Sequence, residues 1–197
     1  KGIKLKKLYR TLFVATIAVP QFVSLLIMSK MLDTGGGILG SGGGIITQLV
    51  ERIFDYHLKF GIDINTTRIC IVIVNMWIGV PYSMLMCSGI LMNIPNDLYE
   101  SARIDGASPA RRFFKITLPY MLFVTGPYLL TSFVGNLNNF NVIYLLSRGN
   151  PIKGTAGGAS VGHTDLLITW LYKMTLGSTD NMYYMASIVG ILIFVVV

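Results

Sequence analysis

Four apolar runs, separated by polar or glycine-rich intervals, dominate the pattern of this chain. The first covers residues 11–31 and is interrupted only by Pro20 and Gln21; the second covers residues 69–92 and includes Trp77, Gly79 and Pro81. The third begins near Pro119 and runs through YMLFVTGPYLLTSFVGNLNNFNVIYLL to Leu146. The fourth begins near Met182 and continues to Val197. A membrane-crossing helix needs about 20 mostly apolar residues. The first two runs satisfy that directly, and the third does so if Asn136, Asn138, Asn139 and Asn141 face protein or water. The pattern predicts an all-α polytopic membrane protein with about four spans. It also predicts a piece of a longer protein, with a last span that continues past residue 197.

The interval LDTGGGILGSGGGIITQLVERIFDYHLKFGIDINT is glycine-rich and then alternates apolar and polar positions at helical spacing over residues 45–60. Glycine turns leading into a helix on the membrane surface fit this pattern. No G-K-[ST] follows the glycines, which argues against a phosphate-binding loop.

Composition agrees with a membrane setting: 53% of the 197 residues are hydrophobic and 13% charged, with mean hydropathy +0.63. Soluble domains carry about 25% charged residues. The net charge of +7 raises nucleic acid as a partner, but its placement points elsewhere. Residues 1–10 and 93–118 hold Lys1, Lys4, Lys6, Lys7, Arg10, Arg103, Arg111, Arg112 and Lys115 against Asp97, Glu100 and Asp105, a net of +6; the rest of the chain nets +1. By the positive-inside rule those two segments are cytoplasmic, and residues 32–67 and 147–181 face outside. The basic excess is thus a matter of topology, with some attraction to anionic membrane lipid, and no nucleic acid partner is expected. Cys70 and Cys87 lie seventeen residues apart in one apolar run. That is about 25 Å along a helix, too far for a mutual disulfide. His57 and His163 read as isolated loop histidines without metal-ligand spacing. No nucleophile–base arrangement or Walker motif is present, so neither catalysis nor a resident cofactor or metal is expected.

The most polar interval, DLYESARIDGASPARRFFKITLP at residues 97–119, has a construction of its own. Asp97 precedes Glu100 by three residues, a capping-box spacing that opens a helix at LYESARID. Gly106 ends that helix in the left-handed region. Ser108 and Pro109 restart helix as N-cap and first helical residue, and Pro119 closes the loop. Leu98, Tyr99 and Ala102 form a small apolar knob able to plug into a groove on a soluble partner.

Uncharged polar residues inside apolar runs are the candidate chemistry. Asn75 and Gly79 share one helical face, with Ile78 and Tyr82 alongside; Asn136 and Asn139 are three apart, beside Gly135. Amides that donate and accept, with an aromatic ring, suit a neutral polyhydroxylated ligand. The same asparagines serve equally as bonds between helices. An ion-coupled secondary transporter would need an intramembrane acid or an ion site on broken helices, and the four runs contain no Asp or Glu.

The segment YESARIDGASPARRFFKITLP resembles the signature loop of permease subunits of bacterial binding-protein-dependent ABC importers. The family's EAA motif is Glu-Ala-Ala, three residues, Gly, nine residues, Ile-x-Leu-Pro. Glu100, Ser101, Ala102, Gly106, Ile116, Leu118 and Pro119 fall on it, with serine for the middle alanine. The segments IVNMWIGVPYSMLMCSGILMNIPNDLYE, TSFVGNLNNFNVIYLL and GHTDLLITWLYKM are similar to the larger permease subunit of maltose/maltodextrin importers. The resemblance implies a type I ABC importer transmembrane-domain fold over residues 1–197, the carboxy-terminal part of a longer permease in the bacterial inner (plasma) membrane, with residues 97–119 as its cytoplasmic coupling loop. It implies ATPase coupling through Leu98, Tyr99, Glu100, Ser101, Ala102, Asp105, Gly106 and Ala107, and sugar contact through Asn75, Ile78, Gly79, Tyr82, Gly135, Asn136 and Asn139. Gly135 departs from the pattern, for a phenylalanine that stacks on sugar stands there in that subunit. The implied partners are a second permease subunit, two cytoplasmic ATPase subunits that bind ATP and Mg, and an extracytoplasmic sugar-binding protein meeting residues 147–181.

Overall fold

The computed structural model describes residues 8, 11, 14, 15, 17–34, 43–156, 159–176 and 182–197. The chain divides into two compact units, Lys1–Ala18 with Gly79–Val134, and Val19–Ile78 with Gly135–Val197. Its elements are α1 (Gln21–Met31), α2 (Ile45–Phe54), α3 (Ile64–Met92), α4 (Asn96–Ile104), α5 (Pro109–Leu137), α6 (Phe140–Leu146), β1 (Ile152–Ala156), β2 (Ala159–Gly162), α7 (Leu167–Leu176) and α8 (Tyr183–Val196). Among the described residues the fold is therefore largely helical with one antiparallel hairpin, β1 against β2, where an all-α chain was expected. It is consistent with the transmembrane domain of an ABC importer.

Among the described residues two helices, α3 and α5, are long and apolar enough to cross a membrane, each of 29 residues. Only 17% and 11% of their most apolar stretches are buried inside the molecule, so their apolar side chains point mainly outward, unlike the core helix of a soluble domain. The other two expected spans correspond to shorter apolar helices, α1 with 11 residues and α8 with 14. Pro20, inside the first apolar run, stands at the N-cap of α1 in an extended conformation, where a proline needs no N–H bond.

The third run does not make one span to Leu146. Its helix ends at Leu137, and Asn139 caps a new helix by accepting the N–H of Val142 at 3.4 Å. An asparagine carbonyl offers the backbone an alternative to continuing the helical ladder. The second span begins earlier than the apolar run does, at Ile64. There the Asp63 carboxylate accepts both the backbone N–H and the hydroxyl of Thr66 at 2.8 Å. Helix α2 ends at Phe54, short of residue 60, because Asp55 turns left-handed at φ 51°.

In the second unit α1 packs on α6 around Leu25, Leu32, Val142, Ile143 and Leu146, with Phe60, Cys70, Ile71 and Val74. Ser29 donates to the carbonyl of Leu146 at 2.8 Å, which satisfies the buried end of α6. Phe140, Tyr144 and Tyr172 join α6 to α7 with ring centroids 4.8–5.0 Å apart. Cys70 and Cys87 are both free thiols, and His57, expected to stand alone, lies 3.2 Å from the Glu51 carboxylate.

Candidate functional site

The residue 97–119 element lies in the first unit and is built by backbone rules. Helix α4 starts at Asn96 behind Pro95 with no side-chain cap, so the expected Asp97–Glu100 capping box does not form. Asp97 instead sits in the first turn, where the helix dipole favours its charge. The end is a Schellman motif: Gly106 has φ +71°, its N–H bonds to Arg103, and the N–H of Ala107 bonds to Ala102 at 2.9 Å. Ser108 then accepts the N–H of Arg111 at 3.3 Å, with Pro109 at the first helical position.

Pro119 does not close this element. Helix α5 runs from Pro109 through it, because Phe113–Thr117 adopt a π-helical register just before the proline. The wider turn makes room for the carbonyl that a proline ring would strike in a regular α-helix. Glu100, Ser101, Asp105 and Gly106 are exposed, and Ala102 and Ala107 half-buried. Leu98 is exposed, but Tyr99 is turned inward, with its hydroxyl 2.8 Å from that of Thr117. Ile104, 87% exposed, is the most exposed apolar side chain of α4. It sits between Ala102 and Asp105, within the expected coupling segment but outside the expected set.

The asparagines meet in the second unit. Asn75 donates its amide to the side-chain carbonyl of Asn136 at 2.8 Å, and Asn139 donates to the carbonyl of Asn75 at 3.2 Å. Asn75 thus uses both ends of its side chain, and the chain of amides ties α3 to the last turn of α5 and the cap of α6. Three neutral amides offer donors and acceptors that ligand hydroxyls can replace one for one. Ile78 is not part of this chain; it packs against the hydrophobic core beside Val74 and Ile71. A Cβ on Gly79 or Gly135 would meet nothing within 4 Å.

Tyr82, in the first unit, faces an aromatic partner that the sequence pattern did not single out. Its ring lies 5.5 Å from that of Tyr128, whose hydroxyl is 3.3 Å from Ser83. Spacing of 46 positions carries no periodic signal that would pair the two tyrosines. The second unit holds another unforeseen cluster, around Asp165. Its carboxylate accepts the N–H of Gly162 at 2.7 Å, the hydroxyl of Thr169 at 3.0 Å and the ammonium of Lys173 at 2.7 Å. The side chains of Lys173 and Asp165 are 11% and 4% exposed. One buried acid therefore joins the end of the hairpin to α7.

Residues 1–197 match the family described as binding-protein-dependent transport system inner membrane component. The chain belongs to that family. It is 38% identical over 199 residues to the maltose/maltodextrin transport system permease protein MalF of Salmonella typhimurium, covering all of this chain and 37% of that protein. It is 36% identical over 203 residues to the maltodextrin transport system permease protein MdxF of Bacillus subtilis, covering 99% of this chain and 44% of that one. The chain thus spans about two fifths of the length of these relatives. Among solved structures, a bacterial ABC transporter involved in import of the acidic polysaccharide alginate superposes with TM-score 0.76 at 20% identity. That match covers 99% of this chain and 63% of the other. As a family member, the chain is a component of a bacterial membrane transport system.

Proposed function

We propose that this chain forms the translocation path for a maltose/maltodextrin-like oligosaccharide in a type I ABC importer, with ATP hydrolysed by a separate subunit. The observation that carries the proposal is the neutral amide chain Asn75–Asn136–Asn139. Its uncharged donors and acceptors suit sugar hydroxyls, and the apolar runs 69–92 and 119–146 that hold them carry no Lys or Arg to neutralise a uronate. The names of the maltodextrin permease relatives support the same cargo. The substrate contacts are Asn75, Gly135, Asn136 and Asn139 in the second unit, and Gly79 and Tyr82 in the first.

Helices α1 and α8 belong to two further spans beside α3 and α5. Residues 97–119 couple to one of two cytoplasmic ATPase subunits, through Leu98, Glu100, Ser101, Ala102, Asp105, Gly106 and Ala107. A second permease and an extracytoplasmic sugar-binding protein complete the assembly. Nucleotide closure of the ATPases opens the path outward to receive sugar, and hydrolysis resets it inward. The open space at Gly135 favours a second reading, a different or longer glycan of the same neutral class.

The test is the permease containing this chain, reconstituted with its ATPase, second permease and binding protein. Maltodextrins are expected to stimulate ATP hydrolysis; stimulation by a uronate polymer alone, or by no sugar, rejects the assignment. Asn139→Leu should weaken uptake roughly tenfold, the upper end for losing one net hydrogen bond, and unchanged uptake kinetics would remove Asn139 from the path.

A further inference from the structure

The geometry points to Tyr99 and Thr117 as a brace that carries motion of α4 past a soft turn into the body of α5, rather than as part of the surface that docks the ATPase. The role rests on the coupling function proposed above for residues 97–119. Tyr99 lies next to Glu100 in the EAA segment, and sequence spacing groups it with Leu98 and Ala102 as a docking knob. The structure instead bonds its hydroxyl to that of Thr117 at 2.8 Å, eighteen residues away within the same unit. Thr117 is 8% exposed and Tyr99 half-buried, so the bond is partly shielded from competing water.

The position of Thr117 gives that bond its mechanical meaning. Residues 113–117 are π-helical, and Thr117 is the last of them. A π turn is the point in a long helix where the regular ladder is offset, and such turns recur at functional sites. Force applied to α4 would reach α5 by one covalent route, through Gly106, Ser108 and Pro109, and then through the π turn. Bending there would absorb displacement before it reached Leu118–Leu137. The Tyr99–Thr117 bond bypasses the turn, joining α4 to the far end of the π segment. With the Schellman turn at Gly106 and the Ser108 cap at the other end, the element is closed on both sides.

The experiment uses the complete transporter in proteoliposomes and measures sugar transported per ATP hydrolysed. Tyr99→Phe keeps the ring and removes the hydroxyl; Thr117→Val removes the other. Each should lower transport per ATP by about twofold to tenfold, the weight of one net hydrogen bond. The double variant should be no worse than either single variant, because both remove the same bond. Thr117→Ser, which retains a hydroxyl, should restore the ratio to near its original value. Singles with normal transport per ATP, or losses that add in the double variant, would overturn the brace. A cysteine at Ala102 separates this from the docking role: it should cross-link to the ATPase in both the parent and Tyr99→Phe. Absence of the cross-link in the parent overturns the docking role and the brace with it. A cross-link retained alongside unchanged coupling overturns the brace alone.

Discussion

The turn element at residues 96–119 and the Asp165 cluster at residues 147–176 are both polar and are held in opposite ways. The first is set by neighbours in sequence: a left-handed glycine, a serine cap and a proline at the helix start. Most of its side chains are exposed, so it can present them without disturbing a core. The second is set by one buried carboxylate that gathers the hairpin, α7 and a lysine eight residues on. Gly149, at φ +85°, belongs to the same cluster, since a Cβ there would collide with the Asp165 carboxylate. Local rules make an exposed surface, whereas buried charge makes a rigid frame. The two regions therefore answer differently to mutation.

Lys173→Met should produce the largest effect. It strands the Asp165 charge in a setting where its side chain is 4% exposed, and breaking such a pair costs about 3–5 kcal/mol. Denaturation in detergent should show the loss, and an unchanged midpoint would mean that the frame does not depend on the pair. Gly106→Val should come next. A left-handed conformation costs a β-branched residue about 1–2 kcal/mol, and the strain should appear as ATP hydrolysis uncoupled from transport with membrane insertion intact. Normal transport in that variant would remove the turn from coupling.

Ser108→Ala tests the same element more gently, since losing an N-cap costs about 1 kcal/mol. Faster amide exchange at Arg111 is the measurement. An unaffected rate would show that the helix start is held by Pro109 alone. The smallest effect is at Asp63. The backbone N–H and then the hydroxyl of Thr66 hold its carboxyl below the ordinary range. The cap at the start of α3 is thus in full force above the ordinary carboxylate range. It is lost as the pH falls through that range to the lowered value. Asp63 is exposed to solvent, so salt and water limit the contribution. Exchange at the Thr66 amide should speed up in acid, and Asp63→Asn should abolish that dependence.

The contrast also separates what sequence reasoning reached from what it did not. Gly106, Ser108 and Pro109 were legible because each acts on backbone within three or four residues. Asn75, Asn136 and Asn139 were legible as candidates because amides are conspicuous in apolar runs, and they do bond to one another. Ile78 was placed on their face by helical spacing, yet the core of the second unit claims it. The break at Asn138 escaped notice because hydropathy averages over a window and does not register a single capping asparagine. The π turn before Pro119 escaped for a related reason: proline marks a probable boundary, and only the preceding backbone can show that the helix has been widened to admit it.

Hydrophobic pattern and charge bias by themselves determined that apolar helices cross or line a membrane, and local backbone chemistry determined the glycine turn between two of them. Both follow from interactions within a few residues or from totals along the chain. Tertiary structure alone decided that Tyr99 turns inward to Thr117, that Tyr82 meets Tyr128, and that Asp165 is buried against Lys173. Those contacts depend on which side chains folding brings within reach of one another, and no periodicity in the chain records that proximity.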